Sequence, residues 1–240
     1  MPYILSPLIT ENLEGMWLEG PAYEKESIYK IEKGKVPPVN YDKHTFKSHS
    51  LTHIEGSKHV DDSGKTVDEY FNGNYYYGDC SVIKLKGDNY KEQGNGIYHW
   101  EVSLDELKVA LGNKSINKLL LTTQNYPVNK NGFHDPNYVL TLSLEAATWL
   151  IKNHNISLYG TSWKSSDYKP GSLERPVHKK LFEKAVILEC LDLKDVPAGQ
   201  YYLVAFPLRI KGSSESPVTP VLFKYLSLIH ISEPTRRTPI

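Results

Sequence analysis

The segment HSLTHIEGSKH, residues 49–59, holds three of the chain's nine histidines and one glutamate. Imidazole nitrogens and carboxylate oxygens suit Zn²⁺, Mn²⁺ or Fe²⁺. An imidazole left off the metal can move protons near neutrality. Two readings compete: a metal site with a catalytic base, or a solvated loop that happens to be rich in histidine. His49, His53, Glu55 and His59 are spaced by four, two and four. A regular helix turns residues 53 and 55 to nearly opposite sides. A regular strand puts all four on one face, but at about 3.3 Å per residue it separates His49 from His53 by about 13 Å. That is too far for one ion, whose ligands sit roughly 2 Å from its centre. Convergence therefore requires a bend between His49 and His53, which SLT can form. His53 and Glu55 then point the same way from a short extended piece, and Gly56 permits a second change of direction before His59. The cluster contains no thiolate, which argues against a closed structural zinc site of the cysteine type. Spacing alone leaves both readings open.

The elements that must position these residues lie mostly downstream. Residues 1–44 read as irregular, with Trp17 between glycines in GMWLEGP as either a pocket wall or a core anchor. A strand is expected from about Tyr41 into the histidine cluster. GKTVDEYF (64–71) suggests a short helix, and SVIKLK (81–86) a strand by its alternation. In SLDELKVALG (103–112), Ser103 and Glu106 form a capping box, apolar residues recur at helical spacing, and Gly112 stops the helix. LLLTT (119–123), ISLYG (156–160) and AVILEC (185–190) read as strands. LSLEAATWLIKNHN (142–155), with Ser143 as N-cap, and PVHKKLFEK (176–184), with Pro at its first position, read as helices. YYLVAFPLRI (201–210) reads as a final long strand interrupted by Pro207. Strands and helices alternate through the second half, and no linker divides the chain. The expected architecture is α/β, a single compact domain with a mixed sheet core and flanking helices.

Composition narrows the functional classes. Among 240 residues, 28 basic and 28 acidic side chains cancel, leaving no basic field to attract nucleic acid or anionic lipid. Charged residues at 23% and apolar residues at 40% are ordinary for a folded domain. No apolar run reaches the roughly 18–20 residues of a membrane span, and the N-terminal stretch lacks a signal-peptide pattern. With two cysteines, Cys80 and Cys190, a disulfide framework is not expected and a cytoplasmic location is the default.

HSLTHIEGSKH resembles the H-x-G-T-H-x-D-x-P-x-H signature of the metal-dependent cyclase/hydrolase family, which includes bacterial-type kynurenine formamidases. GKTVDEY resembles that family's continuation, LEAATWLIKNHNISLYGTS (144–162) its middle helix–strand unit, and ERPVHKKLFEKAVILECLDLKDVPAGQYYLVAFPLRIKG (174–212) its C-terminal segment. The resemblance spans roughly residues 3–223, with two separated motifs in the right order. It implies that His49, His53 and Glu55 are metal ligands and that His59 is the catalytic histidine. It further implies that His178 and Glu189 complete the centre in binuclear members. The implied cofactor is a divalent metal, Zn²⁺ first and Mn²⁺ as the alternative. The implied reaction is arylformamidase-like cleavage of a C–N bond in a small-molecule substrate, with N-formylkynurenine, an intermediate of tryptophan catabolism, leading. Trp17 is a candidate ring contact. The alternatives are a cyclase, a lactone or imide hydrolase, or a non-catalytic metal- or ligand-binding relative. A homodimer or homotetramer is implied in the same way.

The chain also departs from the pattern. Glu55 stands where the family usually has Asp, and Leu51 and Ser57 replace the usual Gly and Pro. GTSWKSSD (160–167) lacks the early Asp of the family's G-I-D-x-x-S stretch, and the spacing from His178 to Glu189 is one residue shorter than in many members. Beyond the expected domain, 1–225, the last fifteen residues change character. LSLIHISEPTR resembles the translation of a transposon-derived sequencing adapter, so residues 226–240 are expected to be a non-native tail without functional weight.

Overall fold

A continuous apolar strand must be covered on both faces, and LLLTT, LYGT and VILE are buried throughout. The computed structural model describes residues 1–225 except 12, 18, 19, 95, 130–133 and 170–172. The tail from 226 to 240 lies outside the described residues. Among the described residues, fourteen strands and three α-helices follow in chain order: β1 (Tyr3–Ile4), β2 (Tyr23–Tyr29), β3 (Tyr41–Phe46), β4 (His53–Glu55), β5 (Tyr77–Leu85), β6 (Lys91–Gly94), β7 (Ile97–Val102), α1 (Leu104–Leu111), β8 (Lys118–Thr123), β9 (Tyr138–Leu142), α2 (Leu144–Asn153), β10 (Leu158–Thr161), α3 (Pro176–Leu181), β11 (Val186–Glu189), β12 (Gly199–Val204), β13 (Glu215–Pro217) and β14 (Val221–Lys224). Nine strands form one mixed sheet in the order β1-β14-β12-β5-β8-β10-β11-β4-β13. Its centre, β5 to β11, is parallel, and antiparallel strands close both sides. The hairpin β2-β3 and a small sheet β6-β7-β9 lie outside it.

Alternation along the central strands sends side chains into two cores. Leu119, Leu121 and Ile187 pack with Leu107, Leu150 and Leu181 of the three helices. Leu120, Val186 and Leu188 join Ile54, Val82 and Leu203 on the opposite face. Ser103 caps α1 in the expected box with Glu106, and Ser143 accepts from the Ala146 N–H at the start of α2.

Four expectations change. Residues 23–29 are a strand rather than irregular, paired as a hairpin with the strand expected from Tyr41, and their side chains are mostly exposed on both faces, so no apolar alternation marks them. The strand from Tyr41 stops at Phe46, and a 3-10 turn at Ser48–Ser50 intervenes before β4. Residues 67–72 wind as a 3-10 helix, closed by a Thr66–Glu69 capping box. The strand expected to end the fold stops at Val204, before Pro207, and β13 and β14 follow it.

Gly56 has a different physical reason from the one its sequence suggested. Its φ of −98° is open to any residue. A Cβ there would lie 2.6 Å from the Lys65 carbonyl oxygen and 3.1 Å from Tyr70 Cε2. Gly56→Ala is therefore expected to cost about 1–3 kcal/mol through overpacking, read as a lowered midpoint of thermal unfolding. An unchanged midpoint would show that the Lys65 loop yields freely.

Candidate metal centre

The sheet register gathers the histidine cluster. On β4, Ile54 faces the second core, so His53 and Glu55 face the helix side. Antiparallel pairing sets Glu189 opposite His53 and Ile187 opposite Glu55. On the other flank, β13 sets Glu215 opposite Glu55. The 3-10 turn at Ser48–Ser50 supplies the required bend and brings His49 back over His53, with Nδ1 3.1 Å from His53 Nε2. A second 3-10 turn, Ser57–His59, returns His59 to the same place.

Glu55 is the hub. Its Oε1 lies 3.2 Å from His49 Nδ1, 3.2 Å from His53 Nε2 and 3.4 Å from His59 Nε2, and its Oε2 lies 3.4 Å from His178 Nε2. Glu189 reaches His178 Nε2 at 3.5 Å and His53 Nε2 at 3.9 Å. Two trios, His49–Glu55–His59 and His53–Glu55–Glu189, offer donor atoms within 4.8 Å of one another. All six residues named for the site by sequence are thus brought together.

The donor set fits a divalent cation. His53 Nδ1 lies 2.8 Å from the Leu51 carbonyl, which can only accept, so the proton sits on Nδ1 and Nε2 turns a lone pair inward. His178 makes the equivalent bond from Nδ1 to Asp167 Oδ2 at 2.6 Å. Glu55 Oε2 is buried and has no hydrogen-bond donor, an arrangement that is costly without a cation. Burial disfavours the Glu55 carboxylate, yet the His178, His49 and His53 imidazoles around it hold its pKa well below the ordinary range. Burial also pushes the His49 imidazole down, but Glu215 and Glu55 outweigh it and raise its pKa to about 10. For His178, Asp167, Glu189 and Glu55 likewise overcome burial and raise it. These carboxylates attract a proton where a metal would bring positive charge, and ligation releases that proton. His59 behaves oppositely. Burial, with His49, His178 and Arg175 adding to it against Glu55, lowers its pKa to about 4. It is neutral at neutral pH.

Several supporting residues were not legible in the sequence. Asp167 accepts from the backbone N–H groups of Val177 and His178 as well as from the His178 ring, so it fixes both the start of α3 and the imidazole. Ser166 Oγ donates to Glu189 Oε1 at 2.9 Å. Glu215 Oε2 stands 3.6 Å from His49 Nε2, and His49 is the main reason its pKa falls to about 2. Arg175 places one guanidinium nitrogen 3.0 Å from His59 Nε2 and 3.1 Å from His178 Nε2. Among the described residues, Arg175 (φ 45°) and Cys190 (φ 58°) are the only non-glycines in the left-handed region. Both flank the site, where backbone strain commonly collects. Glu189, an acid closing the apolar run AVIL, is the sequence feature that calls for such partners.

A cavity of about 320 Å³ opens onto the cluster, lined by His49, Glu55, His59 and Glu189 together with Trp17, Lys47, Lys164 and Arg175. Trp17 therefore forms part of the wall of this cavity. No helix among the described residues is long and apolar enough to cross a membrane.

No family model matches the chain. The kynurenine formamidase of Geobacillus thermodenitrificans is 30% identical over 196 residues, covering 81% of this chain and 84% of that protein. The kynurenine formamidase of Polaromonas naphthalenivorans is 28% identical over 219 residues, covering 91% and 88%. Among solved structures, one described as a potential metal-dependent hydrolase with cyclase activity superposes with a TM-score of 0.68 at 22% identity, covering 94% of this chain and 99% of that one. Isatin hydrolase A from Labrenzia aggregata superposes with a TM-score of 0.70 at 19% identity, covering 93% of each chain. Those two likenesses establish the shared fold, and the sequence relationship carries the assignment: the chain belongs to the kynurenine formamidase family of hydrolases.

Proposed function

We propose that this chain is a divalent-metal-dependent hydrolase that cleaves the amide-type C–N bond of an aryl formamide, with N-formylkynurenine, giving kynurenine and formate, as the leading substrate. The observation that carries the reading is the buried Glu55 carboxylate, one oxygen without a donor, ringed by imidazole nitrogens at the foot of a substrate-sized cavity. His49, His53 and Glu55 would hold the ion, with His178 and Glu189 completing the set. Zn²⁺ is the first choice and Mn²⁺ the second. A bound ion of this kind polarises a carbonyl and brings the pKa of water to about 7.

His59 has the proton-transfer role. Its imidazole is neutral and half-buried at the cavity. It takes a proton from the attacking water and returns it to the leaving aryl nitrogen. Addition of water across the bond then gives one amine and one formic acid, and the ring ends as it began. Asp167 and the Leu51 carbonyl keep the His178 and His53 lone pairs directed at the centre. Trp17 offers an aromatic face for the substrate ring.

Protein purified without added metal is expected to carry one to two equivalents of zinc or manganese per chain by elemental analysis. It should also release formate from N-formylkynurenine or formanilide. Because isatin hydrolases share the fold, the assay panel includes a cyclic imide and a lactone. Turnover of those alone would move the assignment to ring opening. A protein that stays metal-free with zinc or manganese present would overturn the metal reading, and full metal occupancy without turnover would make it a binding relative.

A further inference from the structure

The cavity at the cluster has a second chemical feature, at Lys164. Its ammonium lies 4.4 Å from the Trp17 ring centre and 5.1 Å from that of Trp163. No carboxylate of the described residues pairs with it, and the side chain is half-buried at the cavity wall. Indole faces attract a cation but leave its hydrogen-bond donors unanswered. The Trp17 indole N–H is also buried without an acceptor. A buried donor without an acceptor is costly, and Trp17 lines the same cavity as Lys164.

Charge points the same way. By formal charge among the described lining residues alone, Lys47, Lys164 and Arg175 oppose Glu55 and Glu189, an excess of one positive charge. A divalent ion raises the excess to three. Asp167 beside Arg175 and Glu215 beside His49 reduce it to one. The Lys164 ammonium is the one seated against two indole rings, those of Trp17 and Trp163.

Resting on the hydrolase reading above, we propose that Lys164 is the anion-recognition group of this cavity, so that the preferred substrates are aromatic formamides bearing a carboxylate remote from the scissile bond. The ring lies against Trp17, the formamide faces the metal centre, and the carboxylate meets the Lys164 ammonium. About 320 Å³ accommodates a single-ring substrate, and the carboxylate neutralises the remaining positive charge.

The test compares kcat/KM for 3-formamidobenzoate with that for neutral formanilide. In the wild type the carboxylated substrate is favoured. In Lys164→Met the ratio of the two is expected to fall about 10- to 100-fold, the usual effect of removing a charged hydrogen-bond partner, and Lys164→Arg is expected to restore most of it. An unchanged ratio in Lys164→Met overturns the proposal. A second arm is independent of turnover: 3-aminobenzoate binding to the metal-loaded protein, followed by tryptophan fluorescence. Loss of binding in Lys164→Met supports the anion site even if no formamide is hydrolysed. Equal binding in both proteins places the carboxylate elsewhere and overturns it. Absence of turnover alone strikes the hydrolase reading, not the recognition site.

Discussion

His59→Ala is expected to retain its metal while turnover falls by about 10²- to 10⁴-fold, the usual contribution of a positioned proton-transfer group. His53→Ala is expected to lose both. The contrast is demanding, because His59 Nε2 is only 3.4 Å from Glu55 Oε1 and belongs, with His49, to one of the two trios that could hold an ion. Environment separates the two residues. His53 is fully buried, its Nδ1 is committed to the Leu51 carbonyl, and its only other nitrogen faces Glu55. His59 is partly exposed to the cavity, and burial with neighbouring positive charge keeps it neutral. A ligand fixed in one tautomer suits a metal, whereas an accessible neutral imidazole suits a base. Metal content by elemental analysis, beside formate release, checks both variants. Equal metal loss in the two would make His59 a ligand and return the search for the base to the rest of the cavity.

Asp167→Asn is expected to weaken metal binding by about 10- to 100-fold, as loss of a carboxylate behind a ligating histidine usually does. Asp167 Oδ2 receives the His178 Nδ1–H at 2.6 Å and the His178 backbone N–H at 3.1 Å, while Oδ1 receives the Val177 N–H at 3.0 Å. An asparagine retains one acceptor and replaces the other with a donor. If the amide NH₂ faces the ring, His178 must accept at Nδ1, and its own proton moves to Nε2 and faces the metal site. If the amide oxygen faces the ring, the NH₂ confronts the backbone N–H of Val177 at the first turn of α3. Either way the centre or the helix start loses a bond. A chelator-competition titration with Zn²⁺ measures the effect, and the midpoint of thermal unfolding without metal reports the helix. Unchanged affinity would remove His178 from the ligand set.

The two helices with clear caps and the buried central strands were legible because their signals are local. Ser103–Glu106 and Ser143 act within one turn of chain, and LLLTT is apolar because both its faces are covered. β2 and its pairing with β3 were not legible, since exposed side chains on both faces leave no pattern. Short β13 and β14 acquire strand geometry from their neighbours, β4 for the first and β1 and β12 for the second.

The candidate site divides along the same line. The chain itself determined which residues could bind metal, the shared facing of His53 and Glu55, and the need for a bend after His49, because side-chain alternation and reach are properties of a few consecutive residues. Only the tertiary structure decided that β4 lies between β11 and β13, which puts Glu189 opposite His53 and Glu215 opposite Glu55 across more than a hundred residues of sequence. It also decided that Asp167 holds His178 and that Arg175 and Lys164 share the cavity with Glu55. Those relations rest on hydrogen bonding between distant strands and on packing across a sheet, and no local spacing encodes either.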